Sequence, residues 1–166
     1  MYTIVRCRRE GRSPLSAPDI FIVHTAYMKV YRVPIYQEIF EEERSVGKTI
    51  LVVDDDAMNL RMAEVMLKKK GYEVKKANSG QAALALLQEE TVDMILLDVE
   101  MPGMGGIDTL DAIRAQSECA ELPIAFLSAS EDMEQAVANG EYAVQGFIKK
   151  PFLPQKLYES VDAFLT

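Results

Sequence analysis

Two short apolar runs that end in carboxylates constrain this chain more than any other feature. The first run covers residues 50–53 and leads into three successive aspartates at 54–56, and the second covers residues 94–97 and ends at Asp98. Continuous apolar runs of this length are typical of parallel strands that are buried on both faces. Ligand sites in open α/β sheets lie beyond the carboxyl ends of the strands, so these carboxylates are predicted to converge at one sheet edge. Such a cluster is costly unless a cation neutralises it.

Strand and helix patterns alternate from residue 48 to the end of the chain. Strands are predicted at 49–53, 72–77, 94–98, 124–127 and 146–149. Helices are predicted at about 58–70, 81–90, 107–116, 132–139 and 154–165. This alternation predicts the α/β class, as a flavodoxin-like, doubly wound (βα)5 domain with a parallel five-stranded sheet. The order 2-1-3-4-5 fits a shared site best, because it places the first and third strands side by side.

Charge and hydropathy exclude several function classes. Residues 1–46 carry seven Lys/Arg and six Asp/Glu, whereas residues 47–166 carry eleven and twenty. An acidic module is poorly suited to binding phosphate backbones, so no nucleic-acid partner is expected. No apolar stretch approaches the roughly 20 residues that a membrane span needs. Cys7 and Cys119 lack metal-ligand spacing, and no secretory signal is visible, so we expect a cytoplasmic protein with free thiols.

Residues 1–46 are interpreted as an N-terminal extension that precedes a domain at 47–166. The extension mixes basic, proline and aromatic residues without clear periodicity. Two interpretations stay open: a docking or membrane-surface arm, or a segment that is not native to the domain, whose start would then be Val46. We expect the extension to be poorly ordered.

The converging residues predict phosphoryl chemistry. Asp54, Asp55 and Asp98 offer hard oxygen ligands that suit Mg²⁺ with retained waters, and such an ion can neutralise phosphoryl oxygens. A carboxylate beside the ion can attack phosphorus and become an aspartyl-phosphate, and Asp98 suits this role because the loop after it leaves it open to solvent. Lys150 follows the fifth strand as a point charge for a phosphoryl group, and Ser128 ends the fourth strand with a hydroxyl.

Three neighbouring features receive structural interpretations. Asp56 is predicted to cap the first helix instead of binding metal. Lys150 is preferred over Lys149, and the Lys150–Pro151 bond is a candidate cis peptide. The stretch 47–49 resembles the end of a phosphate-binding loop, but it precedes a strand instead of following one, so that function is rejected.

Four motifs together resemble the receiver domain of two-component response regulators. In chain order they are residues 53–56 (VDDD), 97–106 (LDVEMPGMGG), 127–129 (LSA) and 149–152 (KKPF). Each motif alone is weakly specific, but the four share the family's order and spacing, and the resemblance extends over 48–166. One departure stands before the fifth strand, where the family's usual Gly-Ala pair is replaced by residues 143–144 (AV). The loop there is expected to be unusual.

The resemblance implies a phosphoacceptor and a metal site. Asp98 would take a phosphoryl group from a histidine kinase or a histidine phosphotransfer protein. Asp54 and Asp55 would hold Mg²⁺ together with Asp98, and Glu100 would supply a backbone carbonyl to the ion.

The resemblance also implies a switch and an output. Lys150 and Ser128 would contact the phosphoryl group, and Phe147 matches an aromatic position that turns inward when Ser128 moves. We expect no enzyme activity beyond the domain's own phosphorylation and dephosphorylation. With no segment after the last helix, we expect a stand-alone receiver that either relays the phosphoryl group or alters binding to an effector protein. The alternative is a Mg²⁺-dependent aspartyl-phosphate phosphohydrolase, although no cap domain or pocket-forming insertion is evident.

Overall fold

The computed structural model describes residues 47–165, so the predicted extension at 1–46 lies outside the described part. Five strands and five α-helices alternate there. The strands are β1 (Thr49–Val53), β2 (Glu73–Ala77), β3 (Met94–Asp98), β4 (Ile124–Ser128) and β5 (Gly146–Lys149). The helices are α1 (Ala57–Lys69), α2 (Gly80–Glu89), α3 (Gly106–Arg114), α4 (Glu131–Ala138) and α5 (Pro154–Phe164). All ten predicted elements are confirmed, with ends that differ by at most two residues. Within 47–165, no helix is long and apolar enough to cross a membrane.

The strands form one parallel sheet in the predicted order β2-β1-β3-β4-β5. Val53 pairs with Leu97 across β1 and β3, so the aspartates that follow these two residues emerge side by side. Ser128 pairs with Lys149 across β4 and β5, which brings Lys150 to the same edge of the sheet. The register therefore positions the predicted site residues at the carboxyl ends of four strands.

Both faces of the sheet are covered, which explains why the strand sequences are continuously apolar. Helices α1 and α5 pack on one face, against strand residues such as Val52 and Leu96. Helices α2, α3 and α4 pack on the other face, against residues such as Val53 and Leu97. Alternate residues of each central strand thus enter different cores, and each core removes apolar surface from water.

Local sequence fixes where the helices begin. The Asp56 carboxylate accepts a hydrogen bond from the Met58 backbone at 2.7 Å, which confirms its predicted role as a helix cap. Gly106 begins α3 in close contact with β3, because an added Cβ would lie 2.3 Å from the Asp98 carbonyl oxygen and 2.6 Å from the Val99 Cα. Only glycine lets α3 approach the end of β3 so closely.

A 3₁₀ turn at Ser117–Cys119, which the sequence did not predict, connects α3 to the segment before β4. The Arg114 guanidinium organises this region. Its Nη1 donates to the backbone carbonyls of Cys119, Ala120 and Leu122 at 3.0, 3.1 and 2.8 Å. Its Nη2 and Nε donate to the carbonyl of Ala143 at 2.8 and 3.1 Å. Arg114 therefore ties the turn after α3 to the loop before β5, the loop that the sequence marks as unusual.

Candidate functional site

Three carboxylates meet at the carboxyl edge of the sheet, as the sequence predicts. Asp54, Asp55 and Asp98 each offer one oxygen within 4.8 Å of the others. Asp54 is fully buried and Asp55 is exposed to solvent. The expectation that Asp98 is open to solvent is wrong, because this residue is only 3% exposed at the end of β3. Burying two carboxylates side by side is unfavourable without compensating charge, so the cluster requires a cation.

Lys150 supplies one cation. Its Nζ lies 2.6 Å from Asp54 Oδ2 and 2.9 Å from Asp98 Oδ2. The Lys150–Pro151 peptide is cis, as the sequence suggests. The neighbouring lysine behaves differently, because Lys149 Nζ lies at the surface, 3.0 Å from Glu131. This geometry agrees with the preference for Lys150 over Lys149, while contact between Lys150 and a phosphoryl group stays a prediction.

Electrostatics at the site follow from burial and from these contacts. Burial raises the pKa of Asp98, and the neighbouring charge of Asp54 acts in the same direction, while the hydrogen bond from Lys150 partly opposes both. Burial alone would lower the pKa of Lys150, but its hydrogen bonds to the two carboxylates outweigh that effect and raise it. Lys150 is therefore a firmly charged ammonium. One ammonium among three carboxylates leaves two negative charges in excess, which suits a divalent cation.

Asp54 is held by more donors than its neighbours in the cluster. Its Oδ1 accepts from the backbone N–H of Asp56 at 2.9 Å. The side-chain amide of Asn59 lies 3.2 Å from each Asp54 oxygen. Sequence reasoning missed Asn59, and the only signal was a helix-disfavouring asparagine in the first turn after an acidic strand end.

The remaining predicted residues lie around this cluster. Ser128 is buried, and its Oγ accepts from the backbone N–H of Ser130 at 3.0 Å. The backbone N–H of Glu100 donates to Asp98 Oδ1 at 3.2 Å, while the role of the Glu100 carbonyl as a metal ligand stays a prediction. Phe147 is half-buried and packs against the core beneath α2, α3 and α4.

The donor set fits Mg²⁺. All three converging side chains are carboxylates, which are the ligands that this small hard cation prefers. Among residues 47–165, no histidine or cysteine belongs to the cluster. The exposed Asp55 leaves the cluster accessible from solvent, so waters can complete an octahedral shell. The residues therefore form an acidic cluster that could hold Mg²⁺.

Comparison with known proteins identifies the family. A sequence model described as the response regulator receiver domain matches residues 50–162. Chemotaxis protein CheY-3 of Vibrio cholerae is 36% identical over 114 residues, which cover 68% of this chain and 88% of that protein. The phosphate regulon transcriptional regulatory protein PhoB of Pseudomonas aeruginosa is 35% identical over 120 residues. That match covers 72% of this chain and 52% of PhoB, so the chain spans about half the length of this relative.

Solved structures agree with the sequence comparison. Chemotaxis protein CheY4 of Vibrio cholerae superposes with a TM-score of 0.66 at 32% identity, covering 70% of this chain and 98% of CheY4. A response regulator receiver protein from Pseudomonas putida superposes with a TM-score of 0.64 at 31% identity, covering 70% and 96%. The chain belongs to the response regulator receiver domain family of two-component signalling.

Proposed function

We propose that Asp98 accepts a phosphoryl group from a phosphorylated histidine of a histidine kinase or histidine phosphotransfer protein. The observation that carries this proposal is the Lys150 ammonium between Asp54 and Asp98, with Asp55 completing an acidic cluster open to solvent. A buried cation aimed at the acceptor carboxylate offers a partner for the charge that a phosphoryl group would bring.

Mg²⁺ is the cofactor that this site would hold. Asp54, Asp55 and Asp98 would bind it through carboxylate oxygens, and Glu100 through its backbone carbonyl. When bound, the ion would neutralise charge on the phosphoryl oxygens. Hydrogen bonds from backbone N–H groups and from Asn59 already orient Asp54 and Asp98, so the main change on binding the ion would be release of Asp54 by Lys150.

The transfer itself is a nucleophilic substitution at phosphorus. One carboxylate oxygen of Asp98 forms a P–O bond while the P–N bond of the phosphohistidine breaks. The imidazole leaves with the electron pair of that bond and takes up a proton from solvent. Lys150 then has the phosphoryl oxygens as a new partner, because its ammonium already lies 2.9 Å from Asp98. The protein supplies orientation and charge, and the bonds formed and broken balance without a further reactant.

Phosphorylation would alter the region around Ser128. The Ser128 hydroxyl can donate to a phosphoryl oxygen, and movement toward Asp98 would loosen its bond from the Ser130 N–H. Ser130 caps α4 by accepting from the Met133 backbone at 3.3 Å, so the start of α4 would shift with it. Phe147 pairs with Phe126 across β4 and β5 and would turn inward as this loop moves. The fold would thus have two states whose populations phosphorylation changes.

An apolar stripe beside the site suits a phosphodonor. Helix α1 buries its inner face but leaves Met58, Met62 and Val65 exposed by 66, 38 and 61%. These residues stand at helical spacing on one side of α1, directly after the acidic strand end. Leu153 is 67% exposed at the start of α5, the helix that shares the same sheet face. A helical donor could pack on this stripe while its phosphohistidine reaches Asp98.

The phosphorylated protein would then act by relaying the phosphoryl group or by changing its affinity for an effector. A relay role requires fast reversible exchange with a histidine phosphotransfer protein. An effector role requires partner binding that strengthens on phosphorylation.

The test is Mg²⁺-dependent labelling with acetyl phosphate. We expect wild type to acquire a base-labile phosphoryl group, and Asp98→Asn to acquire none. Asp111→Asn is the matched control, because Asp111 lies exposed on α3 and should label normally. Undiminished labelling of Asp98→Asn would contradict the proposal. Continuous turnover of a phosphomonoester by wild type would instead favour the phosphohydrolase.

A further inference from the structure

Asn59 occupies an unusual place for a helical asparagine. It is half-buried in the first turn of α1, and its side-chain amide is directed at Asp54 instead of solvent. Asparagine is a weaker helix former than alanine, since its side chain competes for backbone hydrogen bonds. The hydrogen bonds to Asp54 give this residue a purpose that helix formation does not supply.

The neutrality of the Asn59 amide matters as much as its position. Asp54 has three donor groups in the described structure: the Asp56 N–H, the Lys150 ammonium and the Asn59 amide. Lys150 is a cation and competes with a metal ion for the same oxygen. The Asn59 amide is neutral, so it can hold Asp54 without opposing an incoming cation.

The geometry allows Asn59 to donate to Asp54 both without a metal ion and with one bound. Its Nδ2 lies 3.2 Å from Asp54 Oδ1 and also 3.2 Å from Oδ2. If one oxygen were to bind a metal ion, the other would still have its amide donor. Asn59 would then keep the carboxylate oriented if Lys150 released Asp54.

We propose that Asn59 is a positioning residue that orients Asp54 for Mg²⁺ and thereby sets the affinity of the site. The inference rests on the proposed function, which makes Asp54 a metal ligand. Partners that hydrogen-bond a ligating carboxylate typically change metal affinity by about 10- to 100-fold when they are removed. Because Asp54 keeps its Asp56 donor, we expect the lower end of that range.

The experiment is a Mg²⁺ titration of the full chain by isothermal calorimetry. We expect Asn59→Ala to raise the Mg²⁺ Kd about tenfold, and Asn59→Gln, which retains an amide, to recover part of the loss. Gln88→Ala removes a helical amide from the exposed face of α2 and should leave the Kd unchanged. The Mg²⁺ concentration for half-maximal acetyl phosphate labelling should shift by the same factor as the Kd.

The outcomes separate the two proposals. A wild-type Kd for Mg²⁺ in Asn59→Ala would overturn the role of Asn59 and leave the receiver chemistry standing. Absence of both Mg²⁺ binding and labelling in wild type would overturn the proposed function itself. If Asn59→Ala does not fold, Asn59→Leu, which keeps a side chain of similar shape without a donor, supplies the comparison, and a wild-type Kd in that variant would overturn the inference.

Discussion

Replacing Lys150 with methionine tests the electrostatic logic of the site most directly. Methionine keeps the length of the side chain but removes the ammonium that lies between Asp54 and Asp98. The three side chains are 18, 1 and 4% exposed, so the two carboxylates would remain buried with no cation between them. Removing one partner of a buried ion pair costs about 3–5 kcal/mol, and the location at the sheet edge favours the lower end.

We therefore expect Lys150→Met to lose about 3 kcal/mol of unfolding free energy in EDTA at pH 7. With a urea m-value of about 1.5 kcal/mol/M, the midpoint should fall by about 2 M. Lys149→Met is the matched control. The Lys149 side chain is 48% exposed and its partner Glu131 is 84% exposed, so this surface pair should contribute less than about 1 kcal/mol.

Mg²⁺ should increase the unfolding free energy of Lys150→Met more than that of wild type. A ligand at 100 times its Kd adds about 2.7 kcal/mol to the folded state. In wild type the ion competes with the Lys150 ammonium for Asp54 Oδ2, whereas in Lys150→Met it has no competitor. Equal losses from Lys150→Met and Lys149→Met would refute this reasoning, and so would equal gains from Mg²⁺ in wild type and Lys150→Met.

The unfolding free energy of Lys150→Met should depend on pH in a direction that the structure predicts. Without Lys150, burial and the charge of Asp54 still raise the pKa of Asp98, and the opposing contribution of the ammonium is gone. A carboxyl whose pKa is higher in the folded state binds its proton more tightly there, so folding becomes more favourable as the pH falls through that pKa. The stability gap between Lys150→Met and wild type should therefore narrow on acidification, as urea midpoints at several pH values would show.

Three further predictions concern packing and docking. Gly106→Ala should lose about 3 kcal/mol by urea unfolding, because its Cβ would meet β3 backbone at 2.3 Å, whereas Gly105→Ala, with 3.7 Å to its nearest atom, should be nearly neutral. Val65→Glu should slow phosphotransfer from a histidine phosphotransfer protein about tenfold, equivalent to about 1.4 kcal/mol, and leave acetyl phosphate labelling unchanged; equal effects on both donors would contradict docking on α1. Arg114→Lys should cost about 1–2 kcal/mol and speed hydrogen exchange around Ala143, since lysine cannot reach all four carbonyls; unchanged exchange there would disprove the bridging role.

The fold could be predicted from sequence because local signals and the sheet agree with each other. Each central strand is buried on both faces and therefore reads as a continuous apolar run, and each run ends at a polar site residue. Caps such as Asp56 and Ser79 mark helix starts within a few residues. The choice of Lys150 over Lys149 rested on the position of Lys150 directly before Pro151, and the structure places the Lys150 ammonium beside Asp54 and Asp98.

Other features depend on geometry that the sequence does not specify. Asn59 reaches Asp54 only because α1 starts where the Asp56 cap places it. Arg114 bonds to the carbonyl of Ala143, 29 residues further along the chain, and no local pattern indicates which carbonyls a guanidinium will meet. The sequence also did not show which face of α1 stays exposed. Both the exposed Met62 and the buried Leu60 are apolar residues of the same helix.

The single ammonium of Lys150 makes Asp54 and Asp98 interdependent. A cation bound at Asp54 would compete with Lys150 for that carboxylate, and the ammonium would then keep Asp98 as its partner. A phosphoryl group on Asp98 adds negative charge beside the same cation site. If phosphorylation tightens Mg²⁺ binding by a given factor, linkage requires that Mg²⁺ favour the phosphorylated state by the same factor. Mg²⁺ affinity measured on wild type and on Lys150→Met, with and without phosphorylation, would show how much of this coupling passes through the lysine.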